Sequence, residues 1–368
     1  MNKPMILVDS HEDLAWNMAT FGRNYLNSIE ETRQRERNTI IPEVNGDTLL
    51  GWPEYQRGRV AIVFGTLFAA PMRTQEGDWD TQCYLESEQA FQLYSRQLDL
   101  YQRLVEDHAD KFSLIQTRGD LQAVIEAWQQ EQASEEGRPV GIVVLMEGAE
   151  GVRAPSELEE WWQRGVRIIG PAWRGTRFCG GTREPGPLTK EGFALLEAMA
   201  SLGFGLDISH MDEAAVLQAL DSYPEQILAS HANAKALLKG TESNRHLSDR
   251  VIQGLLEREA VIGVVPLNSF LKAGWLRGDP RQGIDLQDLV AHIDYICQMA
   301  GDARHVGLGS DFDGGFGLQS TPLGIDTIAD LQKLVPLLAE KGYDEVDIAA
   351  VMGQNWIEML RRILPTEN

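Results

Sequence analysis

The sequence predicts an α/β protein, a (β/α)8 TIM barrel with insertions after strands 1 and 2, and three observations carry that expectation. Short apolar runs recur, each ending in a polar turn and, over most of the chain, followed by an amphipathic stretch, the signature of a parallel sheet covered by helices. The runs begin near residues 5, 60, 140, 166, 204, 227, 261 and 306, which makes eight. The chain has 368 residues and 43% hydrophobic content, enough for one large core, and a barrel of about 250 residues leaves the rest for insertions. No repeat, low-complexity tract or Pro/Gly/Ser linker divides it, so residues 1–368 are expected to form one domain.

The first run, Met5-Ile6-Leu7-Val8, leads straight into Asp9-Ser10-His11-Glu12-Asp13. A buried strand looks like this when its end opens into a polar site. Residues 14–58 form the first insertion, with a charged stretch at 28–37 and loop signals at Asn45-Gly46-Asp47 and Gly51-Trp52-Pro53. Ser28 followed by Glu30 and Glu31 predicts a helix start, and the alternating Glu and Arg residues behind it form a solvated face. The second strand covers 60–68 and closes at Ala69-Ala70-Pro71. The second insertion holds predicted helices over about 83–108 and 120–132, with 112–115 between them as a candidate ninth strand. From 140 onward strands over 140–146, 166–170, 204–208, 227–230, 261–265 and 306–310 are interleaved with helices over 189–201, 212–221, 248–258 and 286–299.

Composition excludes several function classes. The formal net charge of -22 repels a phosphate backbone or an anionic membrane face, which argues against nucleic acid and membrane as partners. Cys83, Cys179 and Cys297 lie far apart without a Cys-x-x-Cys, so neither a disulfide framework nor a thiolate zinc site is supported, and a reducing cytoplasm fits. No charged-then-apolar leader precedes His11 and no apolar run reaches bilayer length, so the expectation is a soluble, unexported protein.

In such a barrel every strand's C-terminal end faces one mouth. His11 and Asp13 follow strand 1, Glu147 ends strand 3, His210 follows strand 5, His231 follows strand 6 and Asp311 follows strand 8. Singly, each has an ordinary alternative: a solvated turn at His11, hydrogen-bonded strand-end histidines at His210 and His231, a helix-capping carboxylate at Glu147. Together, three imidazoles and three carboxylates make a nitrogen and oxygen ligand set suited to Zn²⁺, Mn²⁺ or Fe²⁺. Two metals sharing a carboxylate, about 3.5 to 4 Å apart, hold a hydroxide and polarise a carbonyl or phosphoryl oxygen, which is hydrolytic chemistry.

These residues also carry a resemblance. Asp9-Ser10-His11-Glu12-Asp13-Leu14, Glu147-Gly148, Leu206-Asp207-Ile208-Ser209-His210, Ala229-Ser230-His231 with Asn244-Arg245 and Leu247-Ser248-Asp249 beyond it, and Gly307-Leu308-Gly309-Ser310-Asp311-Phe312-Asp313-Gly314 together resemble the membrane (renal) dipeptidase family, peptidase family M19. The resemblance implies an amidohydrolase-type, metal-dependent barrel that cleaves dipeptides, L,D-dipeptides among them, through a hydroxide bridging two zinc ions per chain. It makes His11 and Asp13 ligands of one Zn²⁺, His210 and His231 ligands of the other, Glu147 the bridge and Asp311 the acid/base. Arg245 falls where the family binds the substrate's terminal carboxylate, a role that bidentate guanidinium geometry suits.

The chain departs from the pattern after strand 4. Where animal members carry Thr-His, with the histidine helping to hold substrate, this chain has Pro171-Ala172-Trp173. An indole at Trp173 stacks or donates one hydrogen bond but takes no proton, which keeps open an amidohydrolase acting on another amide, a lactone or an ester. A catalytically silent, ligand-binding barrel is the alternative from another class. The loop beyond holds Arg174, Arg177 and Arg183, with Arg164 and Arg167 before it. They are either solvated or paired with Glu159, Glu160 and Glu184, or else Arg174 or Arg177 reaches the mouth to recognise a second anionic group. The expected partner is a small molecule, a dipeptide, and a homodimer is compatible with the sequence.

Overall fold

Runs of Val, Ile and Leu bounded by Gly, Pro and Asp suit strands buried on both faces, and parallel pairing requires such burial. The computed structural model describes residues 5–130 and 137–367. Among them eight parallel strands form a barrel: β1 Leu7–Glu12, β2 Val60–Phe68, β3 Val140–Glu147, β4 Val166–Gly170, β5 Gly205–Asp207, β6 Ile227–Leu228, β7 Ile262–Val264 and β8 Val306–Leu308. Neighbours in sequence are neighbours in space, and β1 meets β8 at Asp9 and Leu308. The last seam, β6 to β7, closes through Ala229, whose N–H donates to Val261 O (3.0 Å) and whose carbonyl accepts from Gly263 N (2.8 Å). All eight expected strands are therefore staves of one closed barrel.

The expected ninth strand exists as Phe112–Leu114, but it pairs along the N-terminal half of β3 outside the barrel path. Ser28 caps the helix Ile29–Glu36 as expected, accepting from Glu31 N while the Glu31 carboxylate returns to Ser28 N. The helix expected over 83–108 begins at Ser87, because Cys83–Tyr84 pairs with Ala70–Pro71 as a short ladder. The helix expected over 120–132 runs Arg118–Gln129, and Gln132 lies outside the described residues. The loop expected at Gly51-Trp52-Pro53 is instead the start of the helix Trp52–Gly58. Proline in a first turn loses no hydrogen bond, so the same residues that punctuate a loop also open a helix.

Besides the two expected insertions, a hairpin of Cys179–Gly181 and Glu184–Leu188 stands between β4 and β5. The first insertion is bound to the end of β8 through Asp313, which is fully buried. Its carboxylate accepts from Tyr25 Oη (2.9 Å), Thr48 Oγ1 (2.6 Å) and Leu49 N (3.1 Å), and the Arg23 guanidinium stands 2.9 Å away. Arg23 in turn makes a bidentate pair with Glu36, both contacts at 3.0 Å.

Candidate metal centre

The barrel delivers the six side chains at or just past the carboxyl ends of its strands, three of them with one offset. His210, His231 and Asp311 each stand three residues past the last residue of β5, β6 and β8, Glu147 is the last residue of β3, and His11 and Asp13 flank the end of β1. Parallel strands in register put these positions at the same height around one rim. The structure accordingly brings all six together. Three groupings place one ligand atom per residue within 4.8 Å of one another: His11, Asp13 and Glu147; Glu147, His210 and His231; His11, His231 and Asp311.

Glu147 lies between two of them. Its Oε2 stands 3.6 Å from His11 Nε2, and its Oε1 stands 3.0 Å from His210 Nε2 and 3.4 Å from His231 Nε2. The imidazoles turn their Nε2 atoms inward because their Nδ1 atoms are held from behind. Ser230 Oγ lies 3.1 Å from His11 Nδ1 and 2.8 Å from His231 Nδ1, and it donates to Asp207 Oδ2 at 2.5 Å. A hydroxyl has one proton to give and two lone pairs. Spending the proton on Asp207 fixes Ser230 as acceptor from both rings, so both histidines carry Nδ1–H and Nε2 is the atom each can offer to a cation. Thr182 Oγ1 stands 2.9 Å from His210 Nδ1 and holds that ring from behind.

A cation fits this set. His11 Nε2 is fully buried and has no hydrogen-bond partner, an expensive state for a ring nitrogen unless it is coordinated. Asp13, buried and held by the Thr66 hydroxyl, and the partly buried Asp311 add carboxylate oxygens. Gly314 leaves them room: a Cβ there would collide with Asp311 Oδ1 and stand 2.7 Å from Asp13 Oδ2. Asp311 itself has φ of 58°, a left-handed backbone that a residue with a Cβ adopts only where its surroundings enforce it.

The protein's own charges do not balance among these groups. Burial lowers the His11 pKa, yet Glu147, Asp13 and Asp311 reverse that and push it up to about 10. His210 is held down at about 4 by burial and the Arg245 charge, and His231 lies well below the usual imidazole value for the same reasons, with His11 adding to them. Burial and the Glu147 charge push Asp13 up to about 6, and burial lifts Asp311 well above the carboxylate range, with Asp13 and Glu147 adding to the rise. Burial also opposes the Glu147 charge, but His11, His210 and His231 outweigh it and hold that carboxyl well below its ordinary value. Three carboxylates around three imidazoles thus retain a proton on His11 where a metal would otherwise supply positive charge.

A cavity of about 370 Å³ opens over this cluster, lined by Asp13, Glu147, His210 and Asp311 at its floor. Trp173 lines it as well, its ring 5.1 Å from Phe68 and 6.2 Å from His210. Arg245, nearly fully buried, also borders the cavity while donating to Ser209 O (2.8 Å) and His231 O (2.7 Å). Those bonds tie the turns bearing His210 and His231 to each other. The arginine expectation divides. Arg174 reaches the mouth, whereas Arg177 is taken by Glu150 at 2.6 Å and Glu191 at 3.2 Å. Arg164 pairs with Asp99 at 3.0 Å, Arg167 is buried against the carbonyls of Gln116 and Trp162, and Glu184 is held by Arg73 at 2.6 Å. The expected partners Glu159, Glu160 and Glu184 are therefore replaced by residues of other elements.

Thr66, Thr182, Asp207 and Ser230 were not singled out from the sequence as supports of the centre. Thr66 and Asp207 left one signal, a lone polar residue inside an otherwise apolar strand; Thr182 left none. Trp16 and Trp79, which also line the cavity, come from the two insertions and had no local mark either.

A closed parallel barrel with a metal-competent cluster at the carboxyl ends of its strands defines the class of protein: an α/β-barrel of the hydrolase type. The family model of membrane dipeptidase, peptidase family M19, matches residues 1–368. The chain belongs to that family, which makes it a dipeptidase of a metallopeptidase family. An uncharacterized Klebsiella pneumoniae protein encoded in the pqqA 5′ region is 29% identical over 73% of this chain and 95% of its own length. The dipeptidase tcpJ of Claviceps purpurea is 24% identical over 83% of this chain and 67% of its own. Among solved structures, dipeptidase AC, a metallopeptidase of family M19, superposes with a TM-score of 0.77 at 23% identity, covering 98% of this chain and 99% of that one. A Rhodobacter sphaeroides metallopeptidase bound to a phosphinate mimic of the dipeptide L-Ala-D-Ala gives the same TM-score and identity over 98% and 100%. At such identities the two structures share the fold with this chain. Among the described residues no helix is long and apolar enough to cross a membrane.

Proposed function

We propose that the chain is a binuclear zinc dipeptidase, with His11 and Asp13 on one metal, His210 and His231 on the other and Glu147 shared between them. The observation that carries this is the pair of ligand groupings that have Glu147 in common, with the unpartnered His11 Nε2 facing it. Two bound Zn²⁺ ions supply Lewis-acid polarisation of the scissile carbonyl and a water that is nucleophilic at neutral pH. The residues of the chain do the rest. Arg245, with N–H groups to spare beyond its two backbone bonds, takes the terminal carboxylate of the dipeptide. Trp173 packs against the substrate where the family has a histidine. Asp311 accepts the proton of the attacking water and passes it to the departing amine as the carbon–nitrogen bond breaks and the carbon–oxygen bond forms. Desolvation and the neighbouring Asp13 and Glu147 charges lift its pKa, which favours a carboxyl that both takes and returns a proton.

The Trp173 indole supports a second reading, hydrolysis of another amide, a lactone or an ester, since that position offers no titratable group. The three unpaired cysteines, Cys83, Cys179 and Cys297, support a cytoplasmic location. One experiment separates the readings: metal analysis of protein purified without chelators, followed by a panel of L,L and L,D dipeptides, lactones and esters with added Zn²⁺. Dipeptide turnover that disappears in His210→Ala is the expected result. Absence of transition metal, or full turnover in His210→Ala, would sink the metal mechanism, and binding of dipeptide without turnover would favour a silent, ligand-binding barrel.

A further inference from the structure

Two arginines of the β4–β5 connection have no part in the chemistry above. Arg174 follows Trp173, and Arg183 stands in the turn of the hairpin; both line the cavity. The other arginines of this region are paired: Arg73 holds Glu184, Arg164 holds Asp99 and Arg177 holds Glu150. Among the described residues no such ion pair reaches Arg174 or Arg183. Arg174 spends Nη1 on the Thr182 carbonyl (3.1 Å) and lies over the Trp173 ring at 4.8 Å, while its Nε is buried without a partner. Burial and then the Arg183 charge hold Arg174 below the ordinary guanidinium value, and the carboxylates of Glu184 and Glu76 offset this only in part. Arg183 has φ of 63°, and its N–H is fixed by Asn244 Oδ1 at 2.9 Å. Asn244 precedes Arg245, so the turn is docked beside the residue assigned to the substrate's terminal carboxylate.

In a chain of net charge -22, leaving two guanidiniums unpaired at a cavity mouth is the opposite of what surface pairing would produce, and planar guanidinium forks are suited to carboxylates. We propose that Arg174 and Arg183 form a second anion subsite that selects dipeptides whose C-terminal residue carries a carboxylate side chain, aspartate or glutamate. The α-carboxylate of such a residue goes to Arg245 and the side-chain carboxylate to the arginine pair. Glu76, which also lines the cavity, is the internal competitor: without ligand it partly offsets the charge of Arg174. This assignment rests on the dipeptidase reading and narrows its substrate class.

The test uses the full chain loaded with Zn²⁺ and matched substrates: Ala-Asp against Ala-Asn and Ala-Glu against Ala-Gln, with L and D second residues, and Ala-Ala as reference. The acidic member of each pair should be preferred in kcat/KM by at least about tenfold, chiefly through KM, with the preference shrinking as salt rises. In the Arg174→Met/Arg183→Met double variant the acid-to-amide ratio should fall to about one, Arg183→Lys should keep part of it, and Arg183→Glu should shift preference toward Ala-Lys. Unchanged melting temperatures check that these variants fold. Cleavage of Ala-Ala and the amides with no acidic preference, or a preference that survives in the double variant, overturns the subsite alone and leaves the arginines as partners of Glu76. Failure to cleave any dipeptide overturns the dipeptidase reading and the subsite with it.

Discussion

The two halves of the centre meet at Glu147 and differ in nearly every other respect. The β1 half takes both its own ligands from one strand end, His11 and Asp13, and the His11 side chain is sealed from solvent. The other half takes one imidazole from each of two adjacent strands, and His210 keeps 10% of its side chain exposed at the cavity floor. The first half is anionic and holds a proton, with His11 pushed up to about 10; the second is held neutral, with His210 down at about 4. Enclosure with carboxylates makes a strong cation trap, whereas a pair of neutral imidazoles, one of them, His210, bordering the cavity, makes a weaker one that substrate can reach. On the function proposed above, the β1 half anchors its metal and the β5–β6 half presents its metal to the substrate.

The largest effect should come from removing what the halves share. Glu147→Ala should strip metal from both, taking content from two per chain toward none and cutting dipeptide turnover by more than about a thousandfold; retention of two metals would mean that the halves do not share it. Asp13→Ala should break only the symmetry, lowering occupancy of the β1 site far more than that of the other, and equal loss from both or from neither counts against separate sites. Ser230→Ala frees the Nδ1 atoms of His11 and His231 together, so metal affinity should fall about 10- to 100-fold in both halves, whereas Thr182→Val should weaken only the His210 half. Metal titrations monitored at each site distinguish these patterns.

The smallest effect is a difference in pH dependence. Because His11 in the metal-free protein titrates near 10, it is protonated at pH 7 and must lose that proton to bind metal. Affinity of the β1 half should therefore rise by up to about tenfold per pH unit through neutrality and level off near that pKa. His210, already neutral above about 4, gives the other half no such slope at pH 7. Calorimetry in buffers of different ionisation enthalpy should register about one proton released for the first site and none for the second. Equal slopes would erase the electrostatic distinction between the halves.

The strands and the six side chains at their ends were legible because both rest on local pattern: an apolar run long enough to be buried, then a polar residue that folding alone would not put there. The shared offset of His210, His231 and Asp311 behind β5, β6 and β8 is that pattern in three dimensions. What lies around the centre was not legible. Thr182 stands behind His210 only because a hairpin folds back, and Arg177 meets Glu150 rather than Glu184 because the β3 and β4 turns abut. Trp52 and Pro53 read as punctuation, and only the packing of the first insertion makes them the start of a helix. Loop composition records neither fold-back nor abutment, since tertiary contacts decide them.

The first insertion, which looks like ornament in the sequence, is a buttress. Asp313 sits two residues beyond Asp311, with φ of 63° and no exposed surface, and most of the groups that neutralise it, from Arg23 to Leu49, belong to that insertion. Trimming residues 23–49 to reach a minimal barrel would strand a buried carboxylate, at a cost of about 3 to 5 kcal/mol. The released turn would carry Asp311 away from the metal-competent cluster. The insertion and the carboxyl proposed to move the proton are thus one mechanical unit, and neither can be redesigned without the other.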